Sequence, residues 1–507
     1  MAKKTSNLSE KAGVVVFARI VTTVIDLAIV IATIQILSKT DFAIIVYLLM
    51  IHEVVRNLAT LGFPDSVFYF FERVSGSAKR AFVNQTTLIL FGTAVVAGMV
   101  ILLISYLAPH ILTEWDSESI QQVQYLLPFM ALVTVFEIPT WPVTNILLAL
   151  DRQRDSAWFE MITSLMTFTL LVGPLALGYG LEFAVYGLVA YGVIRFVGSM
   201  IWMKIVLPEG KLSDSEISIK RQVNFSLPLG LSALVNKINR NVDKLIVSIL
   251  LPVSAYAEYS LGAQEVPIIR VIPFAVGSVL ISRYVEFQLE SKKEELLKLW
   301  YRGVEKVSLM VIPLTILSII IASDLISIIA ESEGTSYRNA VLPFQIYNLI
   351  VLIRVTHYGS ILQAFGDTKG VFYLSINLVI ANLILSIPLT LMYGINGTAI
   401  GTLIANLYNW YITLQRIGGH MELPARKVLP FPYYLKVLAV SAVAAFPIWY
   451  LRFQFITESE ALKGLLFSMV CYLLLFSLLG TVTKVISKKD WNQLKNWLML
   501  KFLSGNG

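Results

Sequence analysis

Ten of the forty lysines and arginines in this chain lie inside stretches apolar enough to cross a bilayer: Arg19, Arg56, Arg195, Lys237, Arg240, Lys244, Arg270, Arg302, Lys306 and Arg354. A cation at membrane depth costs at least ~2.5–3.5 kcal/mol unless it faces a wet cavity or a partner. Six of the ten (Arg19, Arg56, Lys237, Arg240, Lys244 and Arg270) fall in four segments, around 13–38, 42–72, 223–250 and 255–288. The chemistry this implies is anion binding in an aqueous, cationic cavity. Arg56 and Arg270 sit near the middle of their segments, and two guanidiniums offer a diphosphate planar, bidentate, permanently charged donors. The competing reading is structural, pairing Arg56 with Glu53 and Arg270 with Glu265. Lys237, Arg240 and Lys244 have i, i+3, i+7 spacing and would share one helix face, with Asp243 placed to neutralise Arg240 and Lys244 near enough to the outer end to snorkel. Arg19 and Asp26, seven apart, also share a face and pair with each other or with the seventh segment. Asp26, Glu53, Asp243 and Glu265 are the candidates for proton or sodium coupling, because partial desolvation lets a carboxylate exchange protons or hold a cation. Arg302 and Lys306 read as snorkelling residues. Arg195 and Arg354 read as members of structural ion pairs, with Glu137 a partner for Arg354.

These residues must be positioned by membrane helices. The 507 residues are 56% hydrophobic and 14% charged, with mean hydropathy +0.73, and runs of the ~20 apolar residues that a spanning helix needs recur along the chain. The expected architecture is an all-α polytopic membrane protein of about fourteen spans, near 13–38, 42–72, 81–108, 121–150, 156–179, 183–206, 223–250, 255–288, 299–322, 337–365, 370–393, 396–416, 432–454 and 462–486. Pro64, Pro228, Pro267 and Pro273 would kink the helices that carry the charges. With the N-terminus inside, 26 Lys and Arg fall in inner loops against 4 outside, a bias that sets orientation and puts both termini in the cytoplasm, Met1–Lys11 being a short basic leader. Residues 488–502 read as an amphipathic helix on the inner leaflet.

An offset of 214 residues relates the two halves. It carries Leu37 to Leu251, Arg56 to Arg270, Glu72 to Glu286, Pro174-Leu175 to Pro388-Leu389, Tyr179-Gly180 to Tyr393-Gly394 and Gly187 to Gly401. Six spans is an even number, so such repeats share orientation and relate by an axis along the membrane normal. Two six-helix lobes follow, at 1–209 and 210–420, with two further helices and the amphipathic tail in 421–507. In such a pair of lobes Arg56 and Arg270 would face one central cavity.

Four local sequences then carry a resemblance: Leu37-Ser38-Lys39-Thr40-Asp41-Phe42-Ala43, Leu61-Gly62-Phe63-Pro64-Asp65-Ser66, Arg240-Asn241-Val242-Asp243 and Leu362-Gln363-Ala364-Phe365-Gly366. Together with the 6+6+2 span pattern they resemble the multidrug/oligosaccharidyl-lipid/polysaccharide exporter superfamily. The branch is that of the polysaccharide transporters, the Wzx-type O-antigen flippases. The resemblance implies transfer of an undecaprenyl-pyrophosphate-linked oligosaccharide from the cytoplasmic to the periplasmic face of a bacterial inner membrane. Membrane lipids, and polysaccharide polymerase machinery, would be the partners. Lipid II flippases are relatives with arginines at comparable places, but the arginine- and glycine-rich opening of their first helix is missing here.

Several classes are disfavoured. The basic residues are dispersed over short loops, which is no nucleic-acid footprint. One cysteine, Cys471, allows no intrachain disulfide. His52, His110, His357 and His420 lack metal-ligand spacing, and no P-loop marks a nucleotide site. No cofactor is expected. The rivals are a cation or drug antiporter of the same superfamily, whose cavity would be anionic, and a membrane enzyme, whose large catalytic outer loop is missing.

Overall fold

The computed structural model describes residues 2–71, 73–210, 215–330, 336–455, 460–488 and 490–492. Glu72 and all but the start of the expected 488–502 amphipathic helix lie outside the described residues. The described chain is helical, with no strand. Hydrocarbon offers no partner to a backbone N–H or C=O, so long apolar runs must satisfy theirs internally. Side chains start several helices: Ser38, Asp116 and Asp367 accept bonds from the backbone N–H of Asp41, Ser119 and Gly370 at 3.0, 2.9 and 2.9 Å, which occupies donors left over in a first turn.

The chain divides into two compact units, Met1–Ala257 and Glu258–Gly507. The first contains α1 (Ala2–Ile36), α2 (Lys39–Thr60), α3 (Phe63–Phe71), α4 (Ser77–Ile111), α5 (Ser117–Glu137), α6 (Val143–Ala149), α7 (Gln153–Ala176), α8 (Gly180–Val206), α9 (Ile219–Ile238), α10 (Val242–Leu250) and the first half of α11 (Val253–Gly262). Here α1 packs on α7, α5 on α4 and α8, and α9 on α2 and α3. Buried Phe70, Phe71 and Phe82 anchor an apolar cluster around α3.

The second unit continues with α12 (Pro267–Leu289), α13 (Lys293–Ile320), α14 (Ala322–Ala330), α15 (Val341–Leu352), α16 (Tyr358–Ala364), α17 (Thr368–Met421), α18 (Phe431–Phe455) and α19 (Ala461–Val482). Its core centres on α13, where Trp300 is fully buried and donates to the Val428 carbonyl at 2.8 Å. Buried Asp324 on α14 is held by Arg452 of α18. At the turn into α17, Asp367 accepts from Arg416 and lies 2.8 Å from the His420 ring nitrogen. The Arg416 hydrogen bond holds its carboxyl well below the usual carboxylate range.

Among the described residues, eleven helical segments are long and apolar enough to cross a membrane. Several of the expected spans are interrupted. The second expected span breaks at Leu61 and Gly62, both with positive φ (46° and 72°), rather than at Pro64, which opens α3. The fourth breaks over 138–142, where Pro139 and Pro142 interrupt the helix. The seventh breaks at 239–241, the eighth over 263–266 before Pro267, and the tenth over 353–357. The break at 239–241 undoes the shared face expected of Lys237, Arg240 and Lys244: Lys237 ends α9, Arg240 lies in the break and Lys244 belongs to α10. The 54-residue α17 has non-helical backbone at Gly394 (φ 60°); ~1.5 Å of rise per residue makes it far longer than one bilayer core.

Two glycine pairs related by the 214-residue offset have like surroundings, whereas Arg56 is half-buried near the end of α2 and Arg270 is exposed in the first turn of α12. Gly180 and Gly394 both take positive φ (80° and 60°) at a turn. Gly187 and Gly401 both sit against backbone: a Cβ would lie 1.8 Å from the Leu170 carbonyl oxygen at the first and 2.6 Å from Ser386 Cα at the second. The same closeness holds at Gly397, where a Cβ would lie 1.8 Å from the Leu389 oxygen, whereas Gly419 has no atom within 4 Å. Gly397→Ala is therefore expected to destabilise by ~1–3 kcal/mol through overpacking. Gly419→Ala should be neutral or stabilise by up to ~1 kcal/mol through helix propensity. Thermal unfolding of the detergent-solubilised protein, followed by fluorescence, checks the contrast; equal midpoints would contradict it.

Candidate functional site: a polar pocket over a buried carboxylate

The described cations and carboxylates converge most strongly around Glu137, the last residue of α5, which is 4% exposed. His52 Nε2 lies 2.7 Å from its Oε2, and Arg195 and Arg56 reach its Oε1 at 3.3 and 3.5 Å. Three elements supply these groups: His52 and Arg56, four residues apart on α2, share a face, and Arg195 comes from α8. The outer atoms are also held. His52 Nδ1 lies 2.7 Å from the Thr134 hydroxyl. Arg195 donates from Nε to the Thr140 hydroxyl at 2.8 Å and from a terminal nitrogen to Tyr191 at 2.5 Å. Both guanidiniums lie over the Trp141 ring, at 4.4 Å for Arg56 and 5.7 Å for Arg195. A buried carboxylate is tolerated only when donors and opposite charge surround it, and here two guanidiniums and an imidazole do so.

This overturns three expected pairings. Arg56 goes to Glu137 and not to Glu53, because the carboxylate arriving from α5 is buried and in reach of three donors, while Glu53 remains half-exposed. Arg354 goes to Glu265 and not to Glu137, and also reaches Asn406 at 3.3 Å. That removes Glu265 as the partner of Arg270: both Glu265 and Arg354 sit in helix interruptions, and each carries the charge that the other lacks. Arg195 is in an ion pair, as expected.

Above this cluster lies a cavity of about 410 Å³, formed wholly by the first unit, within the ~300–1,000 Å³ range of small-molecule sites. Asn57 and Thr60 of α2, Asp65 of α3, Trp141, Thr144 and Asn145 around the 138–142 break, Glu160, Thr163 and Ser164 of α7, Arg195 of α8 and Lys237 of α9 line it. The Lys237 ammonium donates to Asn57 Oδ1, and Asn145 donates to the Pro64 carbonyl at 2.7 Å. One wall is closed by backbone: a Cβ at Gly62 would lie 2.5 Å from both Gly230 N and the Ser226 oxygen, so α9 rests directly on the turn between α2 and α3.

The other sequence-derived candidates lie apart from this cluster. Arg19 on α1, Arg240 between α9 and α10, and Arg270 in the first turn of α12 are exposed. Lys244 is half-buried. Asp26 accepts a 3.4 Å hydrogen bond from Ser164, and Asp243 is 3% exposed. Arg302 is exposed, and Lys306 pairs with Asp490. Sequence reasoning missed Asn57, Trp141, Asn145 and Glu160, and gave Glu137 the wrong partner. The legible signal was Glu137 itself, a lone acid in an otherwise uncharged apolar run, followed by Pro139-Thr140-Trp141-Pro142.

The sequence profile of a family described as "Polysaccharide biosynthesis protein" matches residues 34–337. No curated protein sequence matches significantly. Among solved structures, the lipid II flippase MurJ in an inward closed conformation aligns with TM-score 0.71 at 16% identity, covering 92% of this chain and 99% of that one. An inward-facing multidrug resistance MATE family transporter of the MOP superfamily aligns at TM-score 0.58 and 15% identity, covering 79% and 94%. A MOP superfamily transporter from Pyrococcus furiosus, described as having a binding pocket of reversed polarity that suggests a different function, aligns at 0.55 and 13%, covering 81% and 94%. At these identities the likeness shows the fold, that of the MOP transporters.

Glu137→Ala is expected to cost about 3–5 kcal/mol of stability, since it leaves buried cations uncompensated. Glu53→Gln should cost under ~1 kcal/mol, as for a partly exposed group without that role. Denaturation midpoints of the two purified variants check this, and equal losses would put the pairing in error.

Proposed function

Because the chain belongs to the polysaccharide biosynthesis protein family, we propose that it flips an undecaprenyl-pyrophosphate-linked oligosaccharide from the cytoplasmic to the periplasmic leaflet by alternating access, for O-antigen or another surface polysaccharide. The chain is a multi-pass membrane transporter of the MOP fold and not an enzyme. The proposal places it in a bacterial inner membrane with both termini cytoplasmic, on the strength of the Lys and Arg bias. It counts fourteen crossings, as two six-helix lobes and two added helices. The eleven long apolar segments support that count once α17 is divided at Gly394 and the interrupted pairs α9–α10 and α15–α16 are each taken as one crossing.

The observation that carries the reading is the exposure of Arg19 on α1, of Arg240 in the break between α9 and α10, and of Arg270 on α12. Their guanidiniums are the donors offered to the diphosphate, with Lys244 as a half-buried auxiliary. Arg56, expected from sequence as a principal anchor, is committed to Glu137 and Trp141, so its part is to set the charge beneath the pocket. An exposed guanidinium can form charge-assisted bonds to an entering phosphate.

The rival cation antiporter draws on one observation: Asp26 is exposed on α1 with a 3.4 Å hydroxyl contact, and it would be the cation site. The two readings part in proteoliposomes. Loss of a charge-assisted hydrogen bond costs about 1.5–3 kcal/mol, so Arg240→Ala with Arg270→Ala is expected to slow flipping of a fluorescent lipid-linked oligosaccharide at least tenfold, while Asp26→Asn leaves the arginine dependence in place. Unchanged flipping in the double arginine variant would overturn the assignment of the diphosphate to these residues.

A further inference from the structure

We propose that the pocket in the first unit is a subsite for an uncharged sugar ring of the cargo, separate from the groups that take its diphosphate. The proposal rests on the flippase reading for the identity of the cargo, but its argument is local to this pocket.

Charge is the first reason. The cations lining the cavity, Arg195 and Lys237, are matched by the carboxylates Asp65 and Glu160, and Arg195 is already engaged by Glu137 below. A lining of no net charge suits neither a diphosphate nor an organic cation. The hydrogen-bond inventory is the second. Asn57 is 7% exposed, its Oδ1 accepts from Lys237, and its Nδ2 is buried with no partner. The Trp141 indole nitrogen is likewise buried without one. A buried donor left unpaired is costly, so an entering group with acceptor oxygens offsets that cost. The Lys237 ammonium has hydrogens beyond the one given to Asn57. The Thr144 hydroxyl can both donate and accept, while Thr60 and Thr163, whose hydroxyls donate to backbone carbonyls, add acceptor lone pairs, a mixture that suits a ring bearing several hydroxyls. Size is the third. A cavity of about 410 Å³ is at the small end of ligand sites and fits a ring or two, not a whole oligosaccharide. The remaining sugars and the lipid would stay outside it.

Saturation-transfer NMR on the full-length protein in nanodiscs tests this, with glucose, N-acetylglucosamine, glucuronic acid and inorganic pyrophosphate as probes. Transfer to the ring protons of the two neutral sugars is expected. It should fall at least fivefold in Asn57→Ala and in Trp141→Phe, the latter removing the indole N–H while keeping an aromatic ring. Pyrophosphate should not displace the sugar, and Arg270→Ala should leave sugar binding intact. Absence of neutral-sugar binding, preference for glucuronic acid, displacement by pyrophosphate, or indifference to both pocket variants in well-folded protein would each overturn the proposal. Sugar binding that follows the pocket variants in a protein unable to flip a lipid-linked oligosaccharide would keep the subsite and remove the flippase reading; flipping intact without sugar binding would do the reverse.

Discussion

Inside a bilayer no water is at hand to complete a hydrogen bond, and every polar group of this chain must find its partner in the chain or in a wet cavity. The helices answer for the backbone. The interruptions answer for the side chains. Glu137 stands at the edge of the 138–142 break, Arg240 within the 239–241 break, Glu265 in the 263–266 break and Arg354 in the 353–357 break. At each interruption the chain frees backbone groups and carries a long charged side chain, paired at Glu137, Glu265 and Arg354 and exposed at Arg240. The Glu265–Arg354 pair joins two interruptions of the second unit; the Glu137 cluster gathers groups from three helices of the first.

The first unit then separates two electrostatic tasks. Beneath the pocket, two guanidiniums and an imidazole surround one carboxylate, so the charge is compensated and the geometry of α2, α5 and α8 is fixed. Around the pocket, amides, hydroxyls and an indole provide direction without net charge. Exposed arginines elsewhere on the membrane helices keep their charge available. A cargo with a strongly anionic diphosphate and uncharged sugars matches this division, since each portion meets the kind of group that can replace its water.

Much of this was legible from sequence. Apolar run length gave the helical membrane class, and the 214-residue offset located Gly180 with Gly394 and Gly187 with Gly401, whose equal geometry reflects equal demands of a turn and of close backbone approach. Arg195 and Arg354 read correctly as ion-paired because a guanidinium at membrane depth requires a partner or a wet cavity. Which partner was illegible: the choice between Glu53 and Glu137 for Arg56 depends on helix packing, and Arg354 meets Glu265 through two backbone breaks that no hydropathy pattern marks. The face shared by Lys237, Arg240 and Lys244 failed for the same reason, since 3.6-residue periodicity holds only while the helix continues. The pocket was invisible because Asn57, Trp141 and Glu160 are ordinary residues until folding brings them together.

The central claim is that the cargo is an anionic lipid diphosphate carrying sugars. Its most direct test compares substrates on one preparation of proteoliposomes: leaflet transfer of a polyprenyl-pyrophosphate oligosaccharide, of polyprenyl phosphate without sugar, and of an organic cation driven by a proton or sodium gradient. The account predicts fast transfer of the first, slow transfer of the second and none of the third. Efflux of the cation with no transfer of the lipid-linked oligosaccharide would contradict it.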